Sequence, residues 1–255
     1  LGAGALERHQ HEARLAGVQV SRGSVKVLGL GAAVPFELGV GMRTTGRPFV
    51  SFDSAQVGNV RLGAGRLEFQ VTPEELFLDR MEVSWCKGQL HAYSVHLDPR
   101  RPKVGVDVYA DRIDLGEALA MVMPFRGKME GVLYGRFPVG IDGGHVHLST
   151  GFLYSLPGQG GRLRLDGHEP MQSLLERAGV IGEVQVPLSK ALSDMDFDAI
   201  RLELSPKTDG DAVLRVKLDG KSNFREWPAP VDLELNLHGP LEKLVNVGLD
   251  LSRKQ

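Results

Sequence analysis

The sequence predicts a mostly β protein: a long, twisted antiparallel sheet with one apolar face to cover, and two or three short helices. Three observations predict it. Apolar residues recur with a period of two almost from end to end, the mark of strands with one apolar face. The 255 residues include 32 glycines and only 6% aromatics, which favours turns and thin sheets over a helix bundle. Only a few short stretches break into helical spacing.

The first ribbon is "LAGVQVSRGSVKVLG", residues 15–29, where Val18 and Val20 precede a turn at Gly23 and Val25 and Val27 follow it. This is a hairpin pattern. "VRLGAGRLEFQV" reads the same way, with Leu62 before a glycine turn and Leu67, Phe69 and Val71 after it. "LFLDRMEVSWCKGQLHAYSVHL" reads as two strands with Gly88 between them, and "DPRRPK" as a loop. Val104, Val106 and Val108 then share one face.

Helical spacing first appears at "DLGEALAMVM". Asp114 is an N-cap with Glu117 three residues later, and Pro124 is the stop. The chain returns to strand with Leu133, Phe137, Val139 and Ile141 on one side and Tyr134 and Arg136 on the other. Asp142-Gly143-Gly144 reads as a tight reversal, with Val146 and Leu148 on the returning ribbon. Pro138 suits an edge or an irregularity, because it has no N–H to give a ladder.

A second helix is predicted over "HEPMQSLLERAG", between Pro170 and Gly179, with Met171, Leu174 and Leu175 as its apolar stripe. "PLSKALSDMDFDAI" is a short helical or irregular entry to a strand carrying Leu202 and Leu204. Leu214, Val216 and Leu218 alternate with Arg215 and Lys217; Val231, Leu233, Leu235 and Leu237 alternate with Asp232, Glu234, Asn236 and His238. The last ribbon offers Val245, Val247, Leu249 and Leu251. The helices are expected to lie across the sheet or to plug one end of it.

Composition excludes several classes of function. Thirty Lys and Arg stand against 32 Asp and Glu with no long block of one sign, so no nucleic-acid footprint is offered. The single cysteine, Cys86, rules out an intrachain disulfide and a cysteine-built metal site; in its strand-like run it reads as a small buried hydrophobe. No run reaches 18 consecutive apolar residues. The start, "LGAGALERHQ", has neither an initiator methionine nor a signal-peptide pattern, so the chain reads as an excised or processed fragment. At about 150 residues per domain the length allows one large or two small domains.

Candidate chemistry is sparse. His145 and His147 fall on one strand face without a third ligand nearby, and read as surface residues rather than a metal site. His9 and His11 sit near the start, where the chain is expected to be poorly ordered. Asp142, Asp166 and Glu169 could serve glycoside chemistry only if two of them faced each other. Neither Ser149 nor Ser155 lies in a nucleophile elbow. "LGLGAAVPF" and "LPGQGGRLRL" are glycine-rich, but strands follow them instead of the helix that a phosphate loop needs. No catalytic residue, metal or cofactor is assigned.

The ribbons remain. An apolar sheet face must be covered by a second sheet, by barrel closure or by folding into a trough, and periodicity alone does not choose among these. A trough with an apolar interior would accept acyl chains at about 0.8 kcal/mol per buried methylene. Its lining would come from Leu133, Phe137, Val139, Ile141, Leu214, Val216, Leu218, Val231, Leu233, Leu235 and Leu237.

A set of motifs sharpens the choice. "DRIDLGEALAMVM", Gly135-Arg136-Phe137-Pro138-Val139, Asp142-Gly143-Gly144 and Pro157-Gly158, followed by "AVLRVKLDGKSN" and "PAPVDLELNLHGPLEKLV", occur in this order. The ensemble resembles the C-terminal region of YdbH-like proteins, within the AsmA-like superfamily that includes TamB. The resemblance covers roughly residues 60–251 and is strongest from 104 onward.

What it implies is a taco-like β-groove in the periplasm, part of an inner-membrane-anchored protein reaching toward the outer membrane and carrying phospholipid without chemistry. It implies the C-terminal part of a larger protein, residues 1–255 forming one elongated groove, with any subdivision near 100–104. It also implies a partner, a small outer-membrane lipoprotein of the YnbE-like type, docking by strand addition. Val245, Val247, Leu249 and Leu251 would supply that edge. The alternatives are a structural or adhesive β-rich binding module and, behind it, a carbohydrate-active enzyme. A closed, fully packed core would favour the module, and a cleft of converging carboxylates the enzyme.

Overall fold

A computed structural model describes residues 9–239 apart from 24, 40, 59, 99–102, 123–126, 143–144, 178, 180–181, 183–184, 207–211 and 224–229. The described residues form eighteen strands, every pairing antiparallel, and three helices. The strands are β1 (His9–Arg22), β2 (Val25–Leu38), β3 (Met42–Thr44), β4 (Phe49–Phe52), β5 (Ser54–Val57), β6 (Val60–Leu62), β7 (Gly65–Val71), β8 (Leu76–Trp85) and β9 (Gly88–Leu97). Then come β10 (Lys103–Asp114), α1 (Leu115–Val122), β11 (Gly127–Glu130), β12 (Val132–Asp142), β13 (His145–Leu148), β14 (Gly151–Tyr154) and β15 (Gly161–Leu165). The chain continues through α2 (Glu169–Arg177), α3 (Gln185–Ser193), β16 (Asp194–Pro206), β17 (Ala212–Ser222) and β18 (Pro230–Gly239).

Pairing runs from one end to the other without closing. β1 pairs with β2, which is flanked along its length by β3, β4 and β5. β4 leads to β7 and β5 to β6; from β7 the order is β8, β9, β10, β12. β12 meets β13 and β14 end to end, β14 and β15 share β16, and β11 backs β15. β17 and β18 complete the series. Among the described residues β1 pairs only with β2 and β18 only with β17, so the sheet is an open groove and not a barrel.

Several expected turns are placed as the sequence indicated. Gly23 has φ 58° at the tip of the β1–β2 hairpin, where Arg22 faces Val25. Asp142 faces His145 across the expected reversal, whose two glycines lie outside the described residues. Asp114 caps α1, its Oδ1 accepting from the Glu117 N–H at 2.9 Å. The second predicted helix is α2, and the helical-or-irregular segment after it is α3.

Other expectations need correction. β6 and β7 do not form a hairpin. Gly63 N–H donates to Ser84 O and Ser84 N–H to Ala64 O, both at 2.8 Å, so the chain runs on along β8 instead of reversing. His9 begins β1, and His11 pairs with Phe36, their rings stacked at 5.5 Å, so this region is ordered strand. Pro138 lies at no edge: β10 flanks it on one side, and its carbonyl accepts from Ser149 N–H on the other. The missing donor therefore faces the junction where β13 ends and β14 begins, an irregularity that asks for no N–H.

The β8–β9 reversal is not at Gly88. Trp85 pairs with Gly88, so the turn is Cys86-Lys87, with φ of 45° and 58°. Cys86 is buried, as expected, but in a turn rather than a strand. The tip is held against the end of β10: Asp114 N–H donates to Cys86 O at 2.8 Å, and Lys87 Nζ pairs with Asp114 at 3.3 Å and Glu117 at 3.0 Å. Gly88 is required for this approach, since a Cβ there would fall 2.5 Å from Arg112 O. Gly88→Ala should therefore cost about 1–3 kcal/mol, read as a lower urea midpoint at unchanged slope. An unshifted midpoint would mean that the hairpin tip is not clamped.

Candidate apolar groove

The registers carry one apolar lane across the whole sheet. Leu15 faces Ala32, Ala32 faces Val50, Val50 faces Leu67, Leu67 faces Met81, and Met81 faces Ala92. Two residues along β9, on the same face, Leu90 faces Ala110; then Gly135, Leu153, Leu202, Val216 and Leu235 follow in turn. At about 4.8 Å per rung these twelve strands give a lane roughly 50 Å long.

The expected lining residues whose side chains are described share this face by register. Leu133 faces Ile113; Phe137, Val139 and Ile141 face Val108, Val106 and Val104. Leu214, Val216 and Leu218 face Leu237, Leu235 and Leu233 across β17–β18, and Val231 faces Gly220. Their surroundings differ. Leu133, Leu218 and Leu235 are buried in one cluster with Leu115 of α1, Met171 and Leu175 of α2, and Leu192 of α3. Phe137, Val216, Val231 and Leu233 are half-buried against that cluster. Val139 and Leu214 are half-buried as well. The side chains of Ile141 and Leu237 lie outside the described residues, as do Val245, Val247, Leu249 and Leu251 entirely.

The helices thus fill the groove over β10–β18. Gln185 Nε2 donates to Glu176 Oε1 at 2.8 Å and joins α3 to α2, while Ser222 Oγ of β17 donates to Ala191 O at 3.0 Å and ties α3 to the sheet. The opposite end is uncovered. Leu15 is 42% exposed and Leu38 50%, with Val20 and Met42 similarly open, all on the apolar face. These N-terminal lining residues were missed in the sequence. Their signal was present, but Gly17 and Gly29, with φ of 66° and 67°, shift the alternation and hide it.

The convex face is polar and internally paired. Arg66 meets Glu68 at 3.0 Å, Arg136 meets Asp107 at 2.9 Å, and Arg80 pairs with Glu82. Over the last strands Arg215 and Lys217 both reach Glu234 at 3.3 Å. Exposed pairs of this kind contribute at most about 1 kcal/mol each, so they serve mainly to keep this face in water.

No arrangement for catalysis is assembled from the candidates. Ser155 Oγ accepts from Ile200 N–H at 3.0 Å and extends the β14–β16 ladder; it is a buried structural group. Asp166 and Glu169 are exposed, and the Asp142 side chain lies outside the described residues. His147 is exposed opposite Gly140, and no group of three His, Cys, Asp or Glu among the described residues could hold a metal. Burial pushes the Cys86 thiol up to about 12, helped by the Glu117 and Asp114 carboxylates and opposed by Lys87, so it remains a protonated thiol at neutral pH.

The two ends of the lane should respond differently to truncation. Leu133→Ala, in the filled end, should cost about 2–5 kcal/mol, whereas Leu15→Ala, at the open end, should stay within about 0.5 kcal/mol. Chemical denaturation of both variants checks this, and equal losses would mean that the open end is covered.

No curated protein and no solved structure matches the chain. A family model does, over residues 6–246: YdbH-like, described as intermembrane phospholipid transport protein YdbH. With nearly the whole sequence matched, and with an open apolar groove in place of a catalytic cleft, the chain belongs to the YdbH-like family.

Proposed function

We propose that the apolar lane is the path along which phospholipid acyl chains travel, their headgroups in water at the groove's open side. The family is one of intermembrane phospholipid transport, so the work is transfer and not catalysis. The observation that carries the reading is the apolar face that pairing maintains from Leu15 to Leu235, open over the first strands and covered by the helices over the last. Each methylene moved from water to that floor gains about 0.8 kcal/mol.

The proposed contacts are Leu133, Phe137, Val139, Ile141, Leu214, Val216, Leu218, Val231, Leu233, Leu235 and Leu237, extended at the open end by Leu15, Val20 and Leu38. We treat residues 1–255 as one groove without a division near 100–104. Support comes from the pairing of β9 with β10 at Gln89–His91 and from the clamp between Lys87 and Asp114. The setting is the periplasm between two membranes, with an inner-membrane anchor as the finer reading.

Lipid extraction from the protein purified out of membranes should recover phospholipid. Leu15→Asp and Val139→Asp, each placing a charge on the floor, should reduce recovery several-fold while the circular-dichroism spectrum is kept. Full recovery from both variants would remove the lane as the path.

The last ribbon, residues 243–251, is proposed to present an edge to a small outer-membrane lipoprotein, which would extend both ladder and floor. Its support is the alternation of Val245, Val247, Leu249 and Leu251 with Asn246, Gly248, Asp250 and Ser252. Val247→Pro removes a ladder donor and Leu249→Asp spoils the apolar face. Site-specific crosslinking to the lipoprotein should fall in both. If crosslinking survives both changes, the lipoprotein docks elsewhere.

A further inference from the structure

We propose that the convex face over β9, β10, β12 and β14 is a docking platform for an uncharged glycan strand. All four tyrosines of the chain, Tyr93, Tyr109, Tyr134 and Tyr154, lie on it, one on each of these neighbouring strands. Phe152 joins them. Tyr109 faces Arg136, Arg136 faces Phe152, and Tyr134 faces Tyr154, so the rings occupy adjacent rows of one surface. Tyr93 is 49% exposed, Tyr109 42% and Phe152 38%. The Tyr93 and Tyr109 centroids are 6.5 Å apart, and those of Phe152 and Tyr154 6.0 Å.

Strand propensity alone does not explain the grouping, because the same convex face changes character at the next strand, β16. Over β16–β18 it presents Arg201, Glu203, Arg215, Lys217 and Glu234, which keep a sheet wet without any exposed ring. Tyrosine gives an apolar body with a polar tip, suited to a ligand that is flat, apolar on its faces and hydroxylated at its rim.

Charge selects among such ligands. Arg136, the cation between the rings, is matched by Asp107 at 2.9 Å, and Arg201 on the adjoining β16 by Glu203 at 2.6 Å, with Arg201 also 5.7 Å from the Phe152 ring. A polyanion or an anionic bilayer draws its affinity from an excess of cations, which this face does not carry. Paired guanidinium and carboxylate groups instead offer donors and acceptors side by side, the complement of sugar hydroxyls. The layout agrees: rings lie on both sides of the Arg136–Asp107 pair, Tyr109 before it and Phe152 after it, so an extended chain can rest on rings and meet donors and acceptors between them.

Two probes test the platform: titration with the hexamer of β-1,4-linked N-acetylglucosamine, and flotation with vesicles of phosphatidylethanolamine and phosphatidylglycerol. Saturable binding of the hexamer is expected, weakened about tenfold per ring lost in Tyr93→Ala and Tyr109→Ala and kept in the Tyr→Phe variants. Copurifying lipid should be unchanged, since these side chains lie on the other side of the sheet from the lane. Failure of the hexamer to bind, equal binding by the alanine double variant, or platform-dependent binding to vesicles in its place would overturn the proposal.

Discussion

Everything in this molecule depends on keeping one face of the sheet apolar through twelve successive strands. Side chains in a strand alternate strictly, so a register slip of a single residue would carry a whole row of leucines and valines into water and bring arginines inside. Antiparallel pairing transmits that requirement from rung to rung. The order from Leu15 through Val50, Met81 and Ala110 to Leu235 is therefore a constraint on every hairpin between them, and not a property of any one.

Long strands cannot curve around a groove while alternating without interruption, and the chain resolves this with irregularities that each shift the alternation once. Gly17 and Gly29 sit opposite sides of the first hairpin, and Leu15 and Val18, like Val27 and Leu30, remain on the same face across them. Ser94, with φ 53°, does the same between Ala92 and Val95; Arg112, with φ 56°, does so between Ala110 and Ile113. In β16 the register shifts between Phe197 and Ala199, and Phe197 and Ile200 are both buried. These interruptions separate what was legible in the sequence from what was not. Where alternation is uninterrupted, as in Leu214–Leu218 and Val231–Leu235, the apolar set could be read from the residues, though not the strand it would pair with. Where it is interrupted, as in residues 13–34, the same apolar content gave no clear lining.

Turn chemistry was legible to a similar extent. Gly23 adopts the positive φ that its hairpin needs, and the reading follows from the residue type. Cys86 and Lys87 adopt positive φ without being glycine, while Gly88 beside them is extended and is present because β10 leaves no room for a Cβ. A glycine can mark a turn or a close approach, and only the neighbouring strand decides which. Gly63 gives the same lesson on the other side of β8: it continues a ladder along that strand, so a local reading makes a hairpin where a long-range pairing makes a bend.

The groove is not uniform along its length, and the asymmetry follows from where the helices enter the chain. α1 follows β10, and α2 and α3 lie between β15 and β16, so the buried cluster they join is built mainly from the strands of the second half, with Trp85, Cys86 and Leu90 at its border. There they supply the cover that a second sheet would give, and Leu133, Leu175, Leu192 and Met195 are sealed from water. The first half has no such insertion, and its floor stays open at Leu15, Val20, Leu38 and Met42. An acyl chain entering over β1–β3 meets an exposed floor, then, beyond β9, a channel already occupied by Met171 and Leu175. On the proposed path, passage along the second half would use the rows outside the buried cluster, at Val139 and Leu214, or displace the helices, which buried apolar residues and the hydrogen bond from Ser222 hold to the sheet. The side chains that stabilise the fold would then also set the width of that path.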